Sequence, residues 1–116
     1  MKINILGHDW EIVERTEADD PRLEGCYGFT DWTTREIVID REIEGTLGDM
    51  GAFKRKIKRH EITHAFLMEC GLGEHSGECD SWAENETMVD WIARLGPRLF
   101  AAWAEADALF APITKN

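Results

Sequence analysis

No long hydrophobic run occurs in this chain: the longest uninterrupted apolar stretch is "LFAAWA" at 99–104, far short of the roughly 20 residues a membrane-crossing helix needs. The start, "MKINILGHDW", has one lysine and no apolar core, so neither a signal peptide nor a membrane span is expected. Cysteine is scarce and odd in number, at three. This excludes a disulfide framework and reads as reduced thiols in a cytoplasm, with no bond expected between Cys70 and Cys79. Positive charge is also short: 13 Lys and Arg stand against 23 Asp and Glu, a formal net charge of −10. Phosphate binding needs a basic surface, so nucleic acid is excluded as the main partner. The one basic run, "KRKIKR" at 54–59, reads as the wet side of a helix. Repeats, low-complexity segments and Pro/Gly/Ser linkers are lacking too, and 116 residues make one domain with a single core.

What is present falls into two halves. The first 43 residues alternate as strands: "KINILG" and "WEIVER" flank a "GHD" turn, and "GCYGFT" and "REIVID" flank "DWTT" as a hairpin loop. Interleaved charged and apolar residues predict a sheet with one buried face, and His8, in the first turn, has a structural or solvent-exposed part. From Thr46 the period changes. Thr46 with Asp49 resembles an N-terminal capping pair, and Phe53, Ile57, His64 and Met68 recur at helical spacing up to Gly71, a stop residue. Residues 72–80 read as a loop, and Ser81 with Glu84 as a capping box opening a second helix, "WAENETMVDWIARL". Gly96 and Pro97 end that helix, and "RLFAAWAEADALF" follows as a third, with Leu99, Trp103, Ala106 and Phe110 as its core stripe.

The first long helix carries "RHEITHAF" at 59–66. At 3.6 residues per turn His60 and His64 project about 40° apart, so both rings reach one point above the surface, with Glu61 beside it. In the H-E-x-x-H arrangement two imidazoles hold zinc and the glutamate handles the proton of a metal-bound water. A catalytic zinc takes three protein ligands, so one more donor is needed. In "ENETMVDW", Glu86 and Asp90 share a helical face, whereas Glu84 lies about 200° from Glu86 and is explained by its cap.

"HEITH" followed by "NETMVDWI" resembles the gluzincin metallopeptidases of the thermolysin type, whose second motif, N-E-x-x-x-D, lies on the helix after the H-E-x-x-H helix. The resemblance covers roughly residues 50–93. In size the chain is closer to small ImmA/IrrE-type and phage-encoded metallopeptidases. The resemblance implies an α+β, zincin-like fold: a short N-terminal antiparallel or mixed sheet packed on an active-site helix, a ligand helix and a C-terminal helix. It implies one Zn2+ per chain on His60, His64 and Glu86, with Glu61 as general base and Asp90 hydrogen-bonded to a ligand histidine, that of His60. The implied partner is a peptide or protein substrate, extended along an edge strand such as "REIVID", with no membrane or nucleic acid, in a bacterial or phage-encoded cytoplasmic protein. Larger relatives carry a His or Tyr downstream of the ligand helix that steadies the oxyanion. Nothing after Asp90 can serve here, which leaves His75 and Tyr27 as candidates. The alternative class is a non-catalytic binding or adaptor protein braced by zinc, its site closed by Cys79 or His75 as a fourth ligand.

Overall fold

The structure, a computed structural model, describes residues 1–72, 84–106 and 109. Four strands, β1 (Lys2–Ile5), β2 (His8–Arg15), β3 (Gly28–Asp31) and β4 (Glu36–Asp40), precede two helices, α1 (Met50–Glu69) and α2 (Glu86–Glu105). The strands form one mixed sheet in the order β1-β2-β4-β3: β1 and β3 are antiparallel to their neighbours, and β2 and β4 run parallel. The protein is therefore a small α+β fold. Ile5, Trp10, Ile12, Ile37 and Ile39 of the sheet bury against Ile57 and Ala65 of α1 and against Ile43 in one core cluster. Alternation along the strands produces that face: in β2 Trp10 and Ile12 are buried, while Asp9 is exposed and Glu11 and Val13 are only partly buried.

The first hairpin is tighter than its sequence suggests. Ile5 pairs with His8, so the turn is Leu6–Gly7 rather than "GHD", and both residues have positive φ, 51° and 90°. This is the two-residue turn whose twist matches a hairpin. His8 opens β2, with its Nε2 3.7 Å from Glu69 Oε2 and its side chain half exposed. "REIVID" also differs from expectation. Being buried on both faces at Ile37, Val38 and Ile39, β4 sits inside the sheet, and the edge strand beside α1 is β3.

In the segment between β2 and β3, Asp20 is buried and gathers Arg15 at 3.2 Å and Arg22 at 2.8 and 2.9 Å. It also caps the short 3-10 turn Pro21–Leu23. The Arg22 guanidinium holds the Asp20 carboxyl down to about 2 from its ordinary 3.8. A depressed carboxylate stabilises the fold above its unfolded pKa, and that contribution is lost as pH falls through the folded value. Stability of the parent should therefore drop between about pH 4 and pH 2. Asp20→Asn, less stable at pH 6, should lose less over the same window; urea melts at pH 6, 4 and 2.5 measure both slopes, and identical slopes would remove Asp20 from the acid response.

Asp49 alone caps α1: its carboxylate accepts the Ala52 N–H at 2.9 Å, so it is the N-cap rather than the partner of Thr46. The helix ends as expected at Gly71, which has φ 88°. Leu72 N–H reaches back to Leu67 O at 2.9 Å, closing a Schellman turn. The C-terminal end is held on the sheet by Glu69, whose Oε1 accepts from Trp10 Nε1 at 2.8 Å and Arg35 Nε at 2.6 Å.

The largest departure concerns Gly96 and Pro97. They do not end the second helix: α2 continues through them to Glu105, so the ligand helix and the C-terminal helix are one element. Proline has no N–H for the carbonyl four residues earlier, which is that of Ala93. Arg59 of α1 supplies the missing donor, its Nε lying 2.7 Å from Ala93 O. Beyond Pro97, Leu99 and Phe100 are exposed and Ala106 is exposed as well, so these residues do not form a core stripe. The Trp103 side chain and Phe110 lie outside the described residues. Among the described residues no helix is long and apolar enough to cross a membrane.

Candidate metal centre

Burial on α1 falls on Ile57, Glu61, His64 and Ala65, so the face that anchors the helix to the sheet is the face that carries "HEITH". His60 and His64 meet edge to face one turn apart, with ring centroids 4.9 Å from each other. Their Nε2 atoms are 3.2 Å apart.

Glu86 comes to this pair from α2. The "NE" of the second motif has a local reason. Asn85 is the N-cap, its Oδ1 accepting the Met88 N–H at 3.0 Å and its carbonyl the Val89 N–H at 2.9 Å, which leaves Glu86 in the first turn, where a negative charge is favoured by the helix dipole. Glu86 Oε2 lies 3.0 Å from His60 Nε2 and Oε1 2.9 Å from His64 Nε2. Tetrahedral donors about 2.0–2.1 Å from a zinc ion stand about 3.3 Å apart. The three side chains, with donor atoms all within 4.8 Å of one another, could therefore hold a metal ion. Glu84 precedes the helix and lies outside this cluster, although it lines the cleft next to it.

Asp90, one turn beyond Glu86, places Oδ1 3.4 Å from His60 Nδ1. The same oxygen accepts from Lys56 Nζ at 2.9 Å, and Oδ2 lies 3.3 Å from Arg94. The Lys56 ammonium holds the Asp90 carboxyl down to about 2, so it is a full anion when it faces the imidazole. The basic run is thus only partly wet: Lys54 and Arg55 are exposed, whereas Lys56 and Arg59 clamp α2.

Glu61 is 7 % exposed. Thr30 of β3 donates its hydroxyl to this residue, with Oγ1 2.9 Å from Glu61 Oε1 and 3.0 Å from its backbone oxygen. Burial pushes the Glu61 carboxyl up from its ordinary value, against the pull of the Thr30 hydroxyl and the two histidines. Gly28 is needed where β3 lies against β4: a Cβ there would meet Val38 O at 2.8 Å, while Glu61 Cγ of α1 would stand at contact distance, 3.4 Å.

A cleft borders the donors on two sides. The larger arm, about 470 Å3, runs past His64 and Glu61 to Thr30, Trp32 and Met68. The smaller, about 250 Å3, runs past His60 to Lys56, Asp90 and Tyr27. Tyr27 is half exposed and packs edge-on against Phe53, with centroids 5.2 Å apart. Cys26 lines both arms. It is a free thiol, as is Cys70, and burial pushes the Cys26 thiol up. His75, Cys79 and Ser81 lie outside the described residues.

Sequence reasoning missed Thr30, Lys56 and Trp32. Lys56 was within reach, because it stands four residues before His60 on the same helical face. Thr30 and Trp32 gave no signal, since only the fold brings β3 to α1. No protein-family model, no curated protein and no solved structure matches the chain.

Proposed function

We propose that the protein is a zinc-dependent peptidase of zincin-like build, with His60, His64 and Glu86 as the metal ligands and Glu61 as the general base. The observation that carries this reading is the meeting of four side chains from two helices at one cleft: three donors within bonding distance of a common point, and a buried carboxylate beside them that is not one of the three. Zinc supplies Lewis acidity, making water acidic and a peptide carbonyl electrophilic near neutral pH.

The remaining work belongs to the chain. Glu61 takes the proton of the attacking water and returns it to the leaving amine, a part suited to a carboxyl whose proton affinity burial raises. Asp90, with Oδ1 3.4 Å from His60 Nδ1, would accept the Nδ1 hydrogen of His60, fixing the ring and leaving the Nε2 lone pair for the metal. Tyr27, in the smaller arm, is the candidate to steady the oxyanion. The substrate is an extended peptide added to β3. In an antiparallel pair hydrogen-bonded positions alternate. Asp40 N–H bonds Tyr27 O at 2.8 Å, so in the register Gly28↔Ile39 and Thr30↔Ile37 the backbone groups of Gly28 and Thr30 point to the open edge, where a peptide strand can pair. The open cleft supports a catalytic site over a purely bracing one.

The chain should bind one zinc, and saturation at about 100 times its Kd should raise stability by about 2.7 kcal/mol. Metal analysis and melts with and without zinc measure this. A pool of mixed peptides should be cut by the loaded protein, spared after chelation and cut again on zinc return, as read by mass spectrometry. A protein that takes up no zinc, or takes it up and leaves the pool intact, would overturn the proposal.

A further inference from the structure

Glu61 is held by a residue of the strand that would receive the substrate. Thr30 Oγ1 reaches both the Glu61 carboxylate, at 2.9 Å, and the Glu61 carbonyl, at 3.0 Å. A threonine has one hydroxyl hydrogen, so it serves one of these acceptors at a time. Donated to Oε1, it anchors that oxygen and leaves Oε2 to exchange the proton. The backbone of the same residue points to the free edge of β3, and its side chain points to α1, because side chains in a strand stand across from the ladder direction. Gly28, two residues earlier on the same face of β3, also lies against Glu61, whose Cγ would be 3.4 Å from a Cβ there.

We propose that Thr30 is the positioning residue for Glu61, setting the base in register with a peptide paired on β3 so that one residue fixes both substrate and proton acceptor. The inference rests on the peptidase reading above. Thr30 is not one of the donors of the metal cluster. Its loss should misplace the base without weakening the centre.

Thr30→Val, near in shape and lacking the hydroxyl, tests this, with Thr30→Ala as a second variant that introduces no new bulk. On labelled denatured casein, with zinc-loaded protein, both should lower kcat roughly 10- to 100-fold, the scale of a misplaced catalytic group. KM and zinc affinity should stay within about threefold of the parent, because neither binding contact is removed. Thr30→Ser, which keeps the hydroxyl, should restore most of the rate. An unchanged kcat in Thr30→Val and Thr30→Ala overturns the inference. So does a kcat loss matched by lost zinc affinity, or one that Thr30→Ser fails to repair, since either marks a merely structural contact. Glu61→Gln in the same assay separates the two readings: if it is indistinguishable from the parent, the peptidase reading falls and the positioning role with it.

Discussion

Glu61→Gln should lower peptide hydrolysis by roughly 10²- to 10⁴-fold, the usual share of a general base, while fold and zinc content persist. The amide is nearly isosteric with the carboxyl, and its oxygen can still accept the Thr30 hydroxyl that now reaches Glu61 Oε1. Burial already disfavours the charged form of Glu61, so a neutral side chain suits this environment. Stability without zinc should equal or exceed that of the parent. Initial rates on a peptide found in the pool experiment, alongside zinc content and urea melts, give all three readouts. A variant that cuts as fast as the parent would show that Glu61 is not the proton acceptor.

Glu86→Ala should weaken zinc binding by more than the roughly 10- to 100-fold that outer-shell losses cost, because it removes one of three donors. Both oxygens of Glu86 sit near one ligand-to-ligand spacing from the histidine nitrogens, at 2.9 and 3.0 Å. Asp90→Ala should fall within that roughly 10- to 100-fold range, since it frees the His60 ring and leaves Lys56 facing the centre without its partner. Glu84→Ala should change affinity little: Glu84 stands outside the donor cluster, and an exposed charge is screened over about 8 Å at physiological salt. Competition against a chelator ranks the three. A Glu84→Ala protein that loses zinc while Glu86→Ala keeps it would reverse the ligand assignment.

Several elements were legible in advance for physical reasons that act locally. The i, i+4 spacing of His60 and His64 on a helix needs no tertiary information to put two rings on one face, and the spacing of Glu86 and Asp90 works likewise. Gly71 ends α1 because a left-handed residue is needed there, and the alternation in "WEIVER" marked a half-buried strand. Local signals were misleading where a distant partner intervened. Gly96 and Pro97 carry a strong stop signal, yet Arg59, 34 positions before Ala93, satisfies the carbonyl that Pro97 orphans and the helix runs on. Asn85 caps α2 and Glu84 precedes the helix, which removes the angular argument for excluding Glu84; its position outside the donor cluster takes that argument's place.

The sequence by itself determined the two motifs, the helical faces they occupy, and the residue types that could bind and activate a metal, because each depends on periods of 3.6 or on neighbours within one turn. Only the tertiary structure decided that Glu86 meets both histidines, that Lys56 rather than solvent faces Asp90, that β3 and not "REIVID" forms the open edge, and that Thr30 grips Glu61. Those contacts span from 22 residues, between His64 and Glu86, to 34, between Lys56 and Asp90. Their partners are selected by how the sheet order β1-β2-β4-β3 and the crossing of α1 with α2 bury apolar surface, a property of the whole chain that no local pattern carries.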